Sequence, residues 1–423
     1  MSFQNSDSLR HPLGIMNNKE KLPLSGDPRG ILGLPQELVP KIMGHLSVKH
    51  IKRLMKCNSL LYRRLRNDFS LWRCFTSGRY PCIAGYISEI KNRYTLMKNI
   101  SRSRNERSVD FETNQSDITF MQIDKDKVAC SSDDQTIKIF GMDGRLIRTF
   151  VGHKGGVWTF MFNDKYLVSG STDKTARIWD LWTGCTLCVL IGHKSVVRSL
   201  KIYDDYIATG SRDAEIRIWN FRGTCLNVLK GHTMSVRCMD MGESYLVSGS
   251  YDGSVALWDY RRGKLLRYLK PHSLRVYSVS LSSSYVASGS LDSSVHVSTL
   301  DGKLQCSYRI HRSLVIWLKF VGSGRFLLSS GADGILCKWD VLENALVYKI
   351  EESGHITAQA VIEDLLIVGT KREVKIYNLS DGSFIRTLFS TSSLISKVEV
   401  SGRCISIGYY SDSGACRLVV FNY

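Results

Sequence analysis

A histidine, a serine or threonine, and an aspartate recur together along the chain, and these are the residue types of a hydrolytic triad. His153, Ser169 and Asp173 form one such set, followed by Trp179. The next set consists of His193, Thr209, Asp213 and Trp219. Because an enzyme needs no active site in every repeat, we interpret each set as a buried hydrogen-bond chain that braces its own unit. No unique activated nucleophile stands out elsewhere, so we expect a protein that is not an enzyme.

The spacing of these sets defines an internal repeat. The histidines of five consecutive units are 39 or 40 residues apart, at His153, His193, His232, His272 and His311. Within each unit, short apolar runs alternate at period two between Gly, Ser and Asp residues, which predicts four antiparallel strands. A period of about 40 residues with Gly-His and Trp-Asp signatures resembles the WD repeat, in which each unit is one blade of an all-β propeller.

The number of blades follows from the length of the repeat region. Weaker units lie at residues 118–150 and 355–389, and a last unit of three strands starts at Leu394. Dividing residues 108–423 among eight blades gives about 40 residues each, which matches the period, whereas seven blades would need about 45. We therefore prefer eight blades, with seven as the alternative, and number them from residue 118. Residues 108–113 are predicted to supply the missing strand of blade eight, which would remove an exposed sheet edge.

A basic segment precedes the repeats. Residues 1–107 contain 20 Lys and Arg against 7 Asp and Glu, whereas residues 108–423 contain 37 against 32. From Leu34 and Pro35 onward, apolar residues recur at helical spacing, and the proline lies near a helix start. The order Leu-Pro-x-Glu-Leu-x-x-x-Ile-x-x-x-Leu, with Leu71-Trp72 further on, resembles the F-box. We expect a flexible segment over residues 1–30, a small all-α F-box over 31–78, a helical linker over 79–107 and the propeller over 108–423.

Proteins that join an F-box to WD repeats resemble substrate receptors of SCF-type ubiquitin ligases. The resemblance implies that the F-box docks on a Skp-family adaptor, which is joined to a cullin. The residues that match the adaptor-binding positions are Leu34, Pro35, Leu38, Ile42 and Leu46. An acidic adaptor surface would suit the basic charge of this segment. The F-box resemblance begins close to the start of the chain, at Ile31, so we leave dimerisation open.

Two positions in each repeat are expected to face one end of the propeller. One lies five residues after the histidine, and the other lies immediately before the turn aspartate. Across successive blades they hold Trp158, Arg198, Arg237 and Tyr277 at the first position, and Thr172, Arg212 and Tyr251 at the second. The rigid arginine fork suits a phosphate, tyrosine hydroxyls add donors, and tryptophan offers a flat face to a proline ring. This combination favours binding of a phosphopeptide.

The order of these residues is similar to that of the archipelago, or cell-division-control, type of F-box receptor. The resemblance implies that Arg198, Arg212 and Arg237 bind a phosphorylated Thr or Ser that precedes proline, with Tyr251 and Tyr277 beside them. It also implies that Trp158 and Thr172 border the proline side of the pocket, with Ser195 on its rim. Such a receptor binds phosphodegrons and promotes ubiquitination and proteasomal degradation of its substrates.

The composition of the chain limits the remaining classes of function. The 12 cysteines are dispersed, and the only Cys-x-x-Cys pair, Cys185 and Cys188, has no second pair, so we expect neither a metal nor a cofactor. No apolar run reaches the ~18 residues of a membrane span and no signal peptide is evident, so we expect a nuclear or cytoplasmic protein. A non-degradative WD scaffold is the main alternative. A nucleic-acid-associated propeller could exploit the net charge of +18, although we expect no nucleic-acid partner.

Overall fold

The described residues of the computed structural model form 32 strands, arranged in eight four-stranded sheets. The structure describes residues 107–423 except 115, 125 and 412–414, and before them only Thr95 and residues 98–100. The predicted F-box, most of the predicted linker and the five adaptor-binding residues (Leu34, Pro35, Leu38, Ile42 and Leu46) lie outside the described residues. Each sheet is one blade, so the prediction of eight blades is confirmed.

Blades one to seven are each built from four consecutive antiparallel strands. The strands of blades one to four are β2 (Ile118–Asp124), β3 (Lys127–Ser132), β4 (Ile137–Gly141), β5 (Leu146–Phe150), β6 (Val157–Phe162), β7 (Tyr166–Ser171), β8 (Ala176–Asp180), β9 (Thr186–Leu190), β10 (Val197–Tyr203), β11 (Tyr206–Ser211), β12 (Ile216–Asn220), β13 (Cys225–Leu229), β14 (Val236–Met241), β15 (Leu246–Ser250), β16 (Val255–Asp259) and β17 (Lys264–Tyr268).

The later blades repeat this plan. Their strands are β18 (Val276–Leu281), β19 (Tyr285–Ser290), β20 (Val295–Thr299), β21 (Leu304–Tyr308), β22 (Val315–Val321), β23 (Phe326–Gly331), β24 (Ile335–Asp340), β25 (Ala345–Glu351), β26 (Ile356–Ile362), β27 (Leu365–Thr370), β28 (Glu373–Asn378), β29 (Phe384–Ser390), β30 (Ile395–Ser401), β31 (Cys404–Tyr410) and β32 (Cys416–Asn422). The first strand of each blade packs beside the first strand of at least one neighbouring blade and is therefore innermost.

Blade eight is completed by the strand that precedes blade one. The strand β1 (Arg107–Asn114) pairs antiparallel with β32, and the order in this sheet is β1-β32-β31-β30. Val109 lies opposite Val420, and Phe111 lies opposite Leu418. The prediction that residues 108–113 close the ring is confirmed, and the closure pairs both chain ends of the repeat region.

The hydrophobic core lies between the blades. One buried cluster joins Ile139 and Phe150 of blade one to Val157, Phe160 and Trp179 of blade two, and similar clusters join later blades. The alternation of apolar and polar residues in the sequence produces this arrangement, because each sheet buries both faces against its neighbours. Among the described residues, no helix is long and apolar enough to cross a membrane.

The chain just before β1 is anchored on the propeller. Residues 98–100 are helical, and Ile100 is fully buried in a cluster with Ile376, Val398 and Phe421 of blades seven and eight. The backbone carbonyl of Ile100 accepts a hydrogen bond of 2.7 Å from Nε of Arg386. The end of the predicted helical linker therefore packs into the seam between these two blades.

The recurring histidine sets are buried hydrogen-bond chains. In blade two, His153 Nδ1 lies 2.7 Å from Asp173 Oδ2, and His153 Nε2 lies 2.8 Å from Ser169 Oγ. Trp179 Nε1 donates to the same Ser169 Oγ at 2.8 Å. These residues of blade two therefore brace the blade as predicted, because each polar group forms a hydrogen bond with a neighbour in the same blade.

Replacing Ser169 with alanine should test this bracing role. The substitution leaves both His153 Nε2 and Trp179 Nε1 without their shared partner in a dry site, so we expect the free energy of unfolding to fall by about 2–4 kcal/mol. Urea unfolding followed by tryptophan fluorescence measures the change. The matched control is Ser283→Ala, at an exposed turn position, which should leave the midpoint unchanged. An equal effect of both substitutions would contradict the role of the chain.

Blade five carries Ser298 where blades two, three, four and six have the tryptophan, and a second histidine packs against the blade histidine instead. The His296 ring stacks on His272 with centroids 4.3 Å apart and an interplanar angle of 20°. His272 Nε2 lies 2.8 Å from Ser288 Oγ, and His296 Nδ1 lies 3.0 Å from Ser307 Oγ. Burial, aided by the neighbouring charge of His272, lowers the pKa of His296 from 6.5 to about 4.

This stacked pair should make the protein acid-sensitive. Burial also lowers the pKa of His272, so both imidazoles bind protons more readily in the unfolded chain. Their contribution to stability is therefore complete above pH 6.5 and is lost as the pH falls toward about 4. We expect the urea midpoint to fall over this range, and to fall less in His296→Gln. A parallel pH profile for the two proteins would contradict the prediction.

Candidate binding face of the propeller

A β-bulge at the second residue of each innermost strand positions the first set of predicted site residues. In blade three, for example, the pairing register with β11 slips between Val197 and Ser199, which leaves Arg198 unpaired. The same slip occurs in all eight blades. A bulge re-aims the side chain of its extra residue. The eight bulged residues therefore form a ring at one end of the propeller.

Backbone hydrogen bonds place the second set at the same end. The N–H of Arg212 donates to the carbonyl of Val196 at 2.9 Å, and the N–H of Tyr251 donates to the carbonyl of Ser235 at 3.0 Å. Each acceptor lies two residues before the bulged residue of its blade. The residue before the turn aspartate is thus held against the loop that enters the innermost strand, as the sequence predicted.

The side chains from the two sets meet across blades two to five. Arg198 Nη1 donates to the Tyr251 hydroxyl at 3.2 Å, and the Arg198 guanidinium lies 4.7 Å from the centre of the Trp158 ring. The Tyr251 and Tyr277 rings are 5.4 Å apart, and Arg237 lies 5.7 Å from the centre of the Tyr277 ring. Five predicted residues therefore form one continuous cluster of cations and aromatic rings, which we call the arginine cluster.

Three other predicted residues lie on this face without direct contact to the cluster. Arg212 is exposed, and no hydrogen bond or ion pair of its side chain occurs within the described part of the chain. Thr172 occupies the equivalent position of blade two, and a side chain at Gly155 would collide with its hydroxyl, so glycine is required there. Ser195 contributes its backbone carbonyl to a hydrogen bond from Ser211 Oγ at 3.1 Å.

One member of the face was missed from the sequence. The Arg275 guanidinium lies 5.0 Å from the centre of the Tyr251 ring, and Arg275 is exposed. Arg275 precedes the bulged Tyr277 by two residues, and its carbonyl accepts a hydrogen bond from the N–H of Leu291 at 2.9 Å. Reading a third position in each blade, two residues before the bulge, would have identified it.

The turn aspartates do not neutralise these cations, because they point into the blades. Partial burial alone would raise the pKa of Asp213, but hydrogen bonds from His193 and from the backbone hold it well below its usual range. Asp252 is held in the same way by His232, Ser254 and backbone N–H groups. These carboxylates accept hydrogen bonds from groups within their own blades, and among the described residues they form no ion pair with the arginines of the face.

Comparison with known protein families agrees with this architecture. The WD domain, G-beta repeat model matches residues 144–180 and 184–220, and a model described as the Vps42 beta-propeller matches residues 222–397. The chain carries a WD-repeat propeller. The crystal structure of the computationally designed Ika8 protein is similar to it, with a TM-score of 0.68 at 26% identity, covering 73% of this chain and 97% of that one.

Curated relatives match parts of this chain. The WD repeat-containing protein pop1 of Schizosaccharomyces pombe is 47% identical over 68 residues, which are 16% of this chain and 9% of that protein. Cell division control protein 4 of Saccharomyces cerevisiae is 26% identical over 183 residues, which are 37% and 23%. The nuclear distribution protein PAC1 of Coccidioides posadasii is 48% identical over 60 residues, 14% and 13%. The chain thus spans less than a quarter of each relative.

Proposed function

We propose that this protein is the substrate-recognition subunit of an SCF-type ubiquitin ligase, and that its WD-repeat propeller binds peptides phosphorylated on Thr or Ser before proline. The observation that carries the proposal is the arginine cluster. Arg198 and Arg237 project beside aromatic rings from adjacent blades, and Arg212 lies exposed on the same face. Phosphate is the ligand that matches several arginine forks in one place.

The cluster is prepared for an anion before any ligand arrives. Arg198 is held between the Trp158 ring and the Tyr251 hydroxyl, which takes one of its five N–H donors. The remaining donors are available to a phosphate. Because the side chain is already ordered, binding loses less conformational entropy than it would for a freely rotating arginine. Trp158 stays 39% exposed, which leaves ring surface for the following proline.

The ligase role of the proposal rests on the N-terminal motif and on similarity. Residues from Leu34 to Leu46 follow the F-box pattern, and we propose that Leu34, Pro35, Leu38, Ile42 and Leu46 contact a Skp-family adaptor joined to a cullin. The similarity to cell division control protein 4 supports this proposal. Such a receptor performs no bond chemistry itself, and it accelerates ubiquitin transfer by raising the effective concentration of the substrate.

A paired titration tests the proposal. The full chain, co-expressed with a Skp-family adaptor, is titrated with a fluorescent pThr-Pro peptide and with its unphosphorylated twin. We expect stable co-purification and binding of the phosphorylated peptide only, because phosphorylation adds about −1.5 to −2 charge and strong acceptors. Equal binding of both peptides would show that this face does not recognise phosphodegrons.

A non-degradative scaffold is the second candidate. The match to nuclear distribution protein PAC1 favours it, because that protein is also similar to part of this chain and its name denotes a different role. Binding of the adaptor distinguishes the two candidate functions. Failure of the full chain to co-purify with adaptor and cullin would favour the scaffold.

A further inference from the structure

The binding face carries a further cation at its blade-five end, outside the residues proposed to bind the phosphate. The guanidinium of Arg275 lies 5.0 Å from the centre of the Tyr251 ring, and Arg198 Nη1 donates to the hydroxyl of the same tyrosine at 3.2 Å. The Tyr251 ring also lies 5.4 Å from the Tyr277 ring. One tyrosine side chain therefore separates the Arg275 guanidinium from the Arg198 guanidinium.

The Arg275 guanidinium has its N–H donors available for a ligand. Arg275 is exposed, and within the described part of the chain its side chain forms no hydrogen bond or ion pair. The turn aspartate of the same blade, Asp292, is already occupied, because its carboxylate accepts the backbone N–H groups of Ser273 and Ser294, both at 2.9 Å. An arginine that lies over an aromatic ring is partly ordered by that contact, and its planar fork matches the geometry of a carboxylate.

The other end of the face, in blade one, carries two carboxylates. The N–H of Asp133 donates to the carbonyl of Asp117 at 3.3 Å, and both residues are exposed. This is the backbone link that places the equivalent residues of other blades on the face. A side chain at Gly156 would collide with the Asp133 carboxylate, so this carboxylate lies against the loop that leads to Trp158. The face is therefore acidic beyond Trp158 and basic at Arg275.

The position of Trp158 sets the direction in which a bound peptide crosses the face. In the proposed function, the phosphate lies on arginines of blades three and four, and the following proline packs on Trp158 of blade two. Residues after the proline then extend toward blade one, whereas residues before the phosphorylated residue extend toward Arg275 of blade five. An extended chain advances about 3.3 Å per residue, so guanidinium groups on either side of one tyrosine suit anions roughly two or three residues apart.

We propose that Arg275 is a specificity-determining residue, which selects a peptide with an acidic side chain two or three residues before the phosphorylated residue. This inference rests on the function proposed above and adds a second anion to the recognised peptide. The Arg275 fork binds the glutamate or aspartate carboxylate through charge-assisted hydrogen bonds. On the other side of the phosphate, Asp117 and Asp133 repel an acidic residue, and the exposed Lys154 of blade two offsets part of that repulsion.

A glutamate scan of a pThr-Pro peptide tests the inference. The parent peptide has alanine at the flanking positions, and glutamate replaces it singly at each of the four positions before the phosphothreonine and at the first two after the proline. Binding to the full chain is measured by fluorescence anisotropy. We expect glutamate two or three residues before the phosphothreonine to tighten binding about fivefold at low ionic strength, as for a favourable exposed charge pair. Glutamate after the proline should give no gain.

Three variants identify the arginine. Arg275→Met keeps an apolar stem over the Tyr251 ring and removes the charge, so the gain from glutamate should disappear. Arg275→Glu should reverse the preference, so that a peptide with lysine at that position binds more tightly than one with glutamate. Arg222→Met removes an exposed arginine from the turn between β12 and β13 and should keep the full gain. Each comparison is a ratio between two peptides on one variant, so a loss of folded protein does not imitate it.

The scan separates the inference from the function on which it rests. If the parent phosphopeptide binds but glutamate before the phosphothreonine gives no gain, the inference is overturned and phosphopeptide binding stands. A gain that persists in Arg275→Met, or an equal gain from glutamate on both sides of the phosphate, would overturn it in the same way. Failure of every phosphorylated peptide to bind would reject both the inference and the proposed function.

Discussion

Replacing Arg198 with alanine should weaken binding of a pThr-Pro peptide by about thirtyfold or more, since truncating one partner of a desolvated charge pair costs about 2–5 kcal/mol. The expected loss is large because Arg198 occupies the centre of the cluster. The substitution removes the guanidinium group that is proposed to bind the phosphate. The same group donates to the Tyr251 hydroxyl and lies over the Trp158 ring. Fluorescence anisotropy with the phosphorylated peptide measures the change.

Two further variants make this result specific. Arg198→Lys keeps the positive charge without the planar fork, so its affinity should fall between those of the wild type and Arg198→Ala. Arg222→Ala removes an exposed arginine from the turn after β12, away from the face, and should bind like the wild type. If Arg198→Ala retains wild-type affinity while the phosphorylated peptide is still preferred, the phosphate binds elsewhere on the propeller.

The fold could be predicted from the sequence because the residues that recur with the period of the repeat also contact one another within a blade. In blade two the histidine, serine, aspartate and tryptophan bond to one another, so the spacing of these residues directly reflects the four-stranded unit. The closing strand could be predicted for a similar reason, since the last unit had one strand too few. Residues 31–78 have no comparable repeat, and their predicted F-box remains a prediction.

The site was predictable only in part. The two positions read in register placed Arg198, Arg237 and Tyr251 on one face, because each follows a fixed landmark of the repeat. Arg275 lies outside these two positions, and its approach to Tyr251 depends on the path of a long side chain. The bulge in each innermost strand shifts the facing of that strand by one residue, and it leaves no signature in residue type here.

Replacing residues 107–114 with an equally long Gly-Ser segment should destabilise the whole propeller. Among the described strands, β1 is the only partner of the outer edge of β32, and the Phe111 ring lies 5.0 Å from the Phe140 ring of blade one. Loss of β1 weakens a ladder of hydrogen bonds worth about 1 kcal/mol each and removes an aromatic pair worth about 1 kcal/mol, so we expect the free energy of unfolding to fall by several kcal/mol. We expect the melting temperature to fall by about 10 °C, as measured by calorimetry.

The contacts of the closing strand β1 also predict where the loss of stability should begin. Thr113 Oγ1 donates to the Cys416 carbonyl at 3.0 Å, and Lys138 Nζ of blade one donates to the Thr113 carbonyl at 2.8 Å, so β1 joins blade eight to blade one. Hydrogen exchange in the replaced protein should therefore accelerate first in β32 and in blade one, and last in blades four and five, which lie opposite the seam. The control replaces the exposed Ser108 and Glu112 with alanine and keeps the ladder. A uniform increase in exchange around the ring, or an unchanged melting temperature, would show that the seam does not hold the propeller closed.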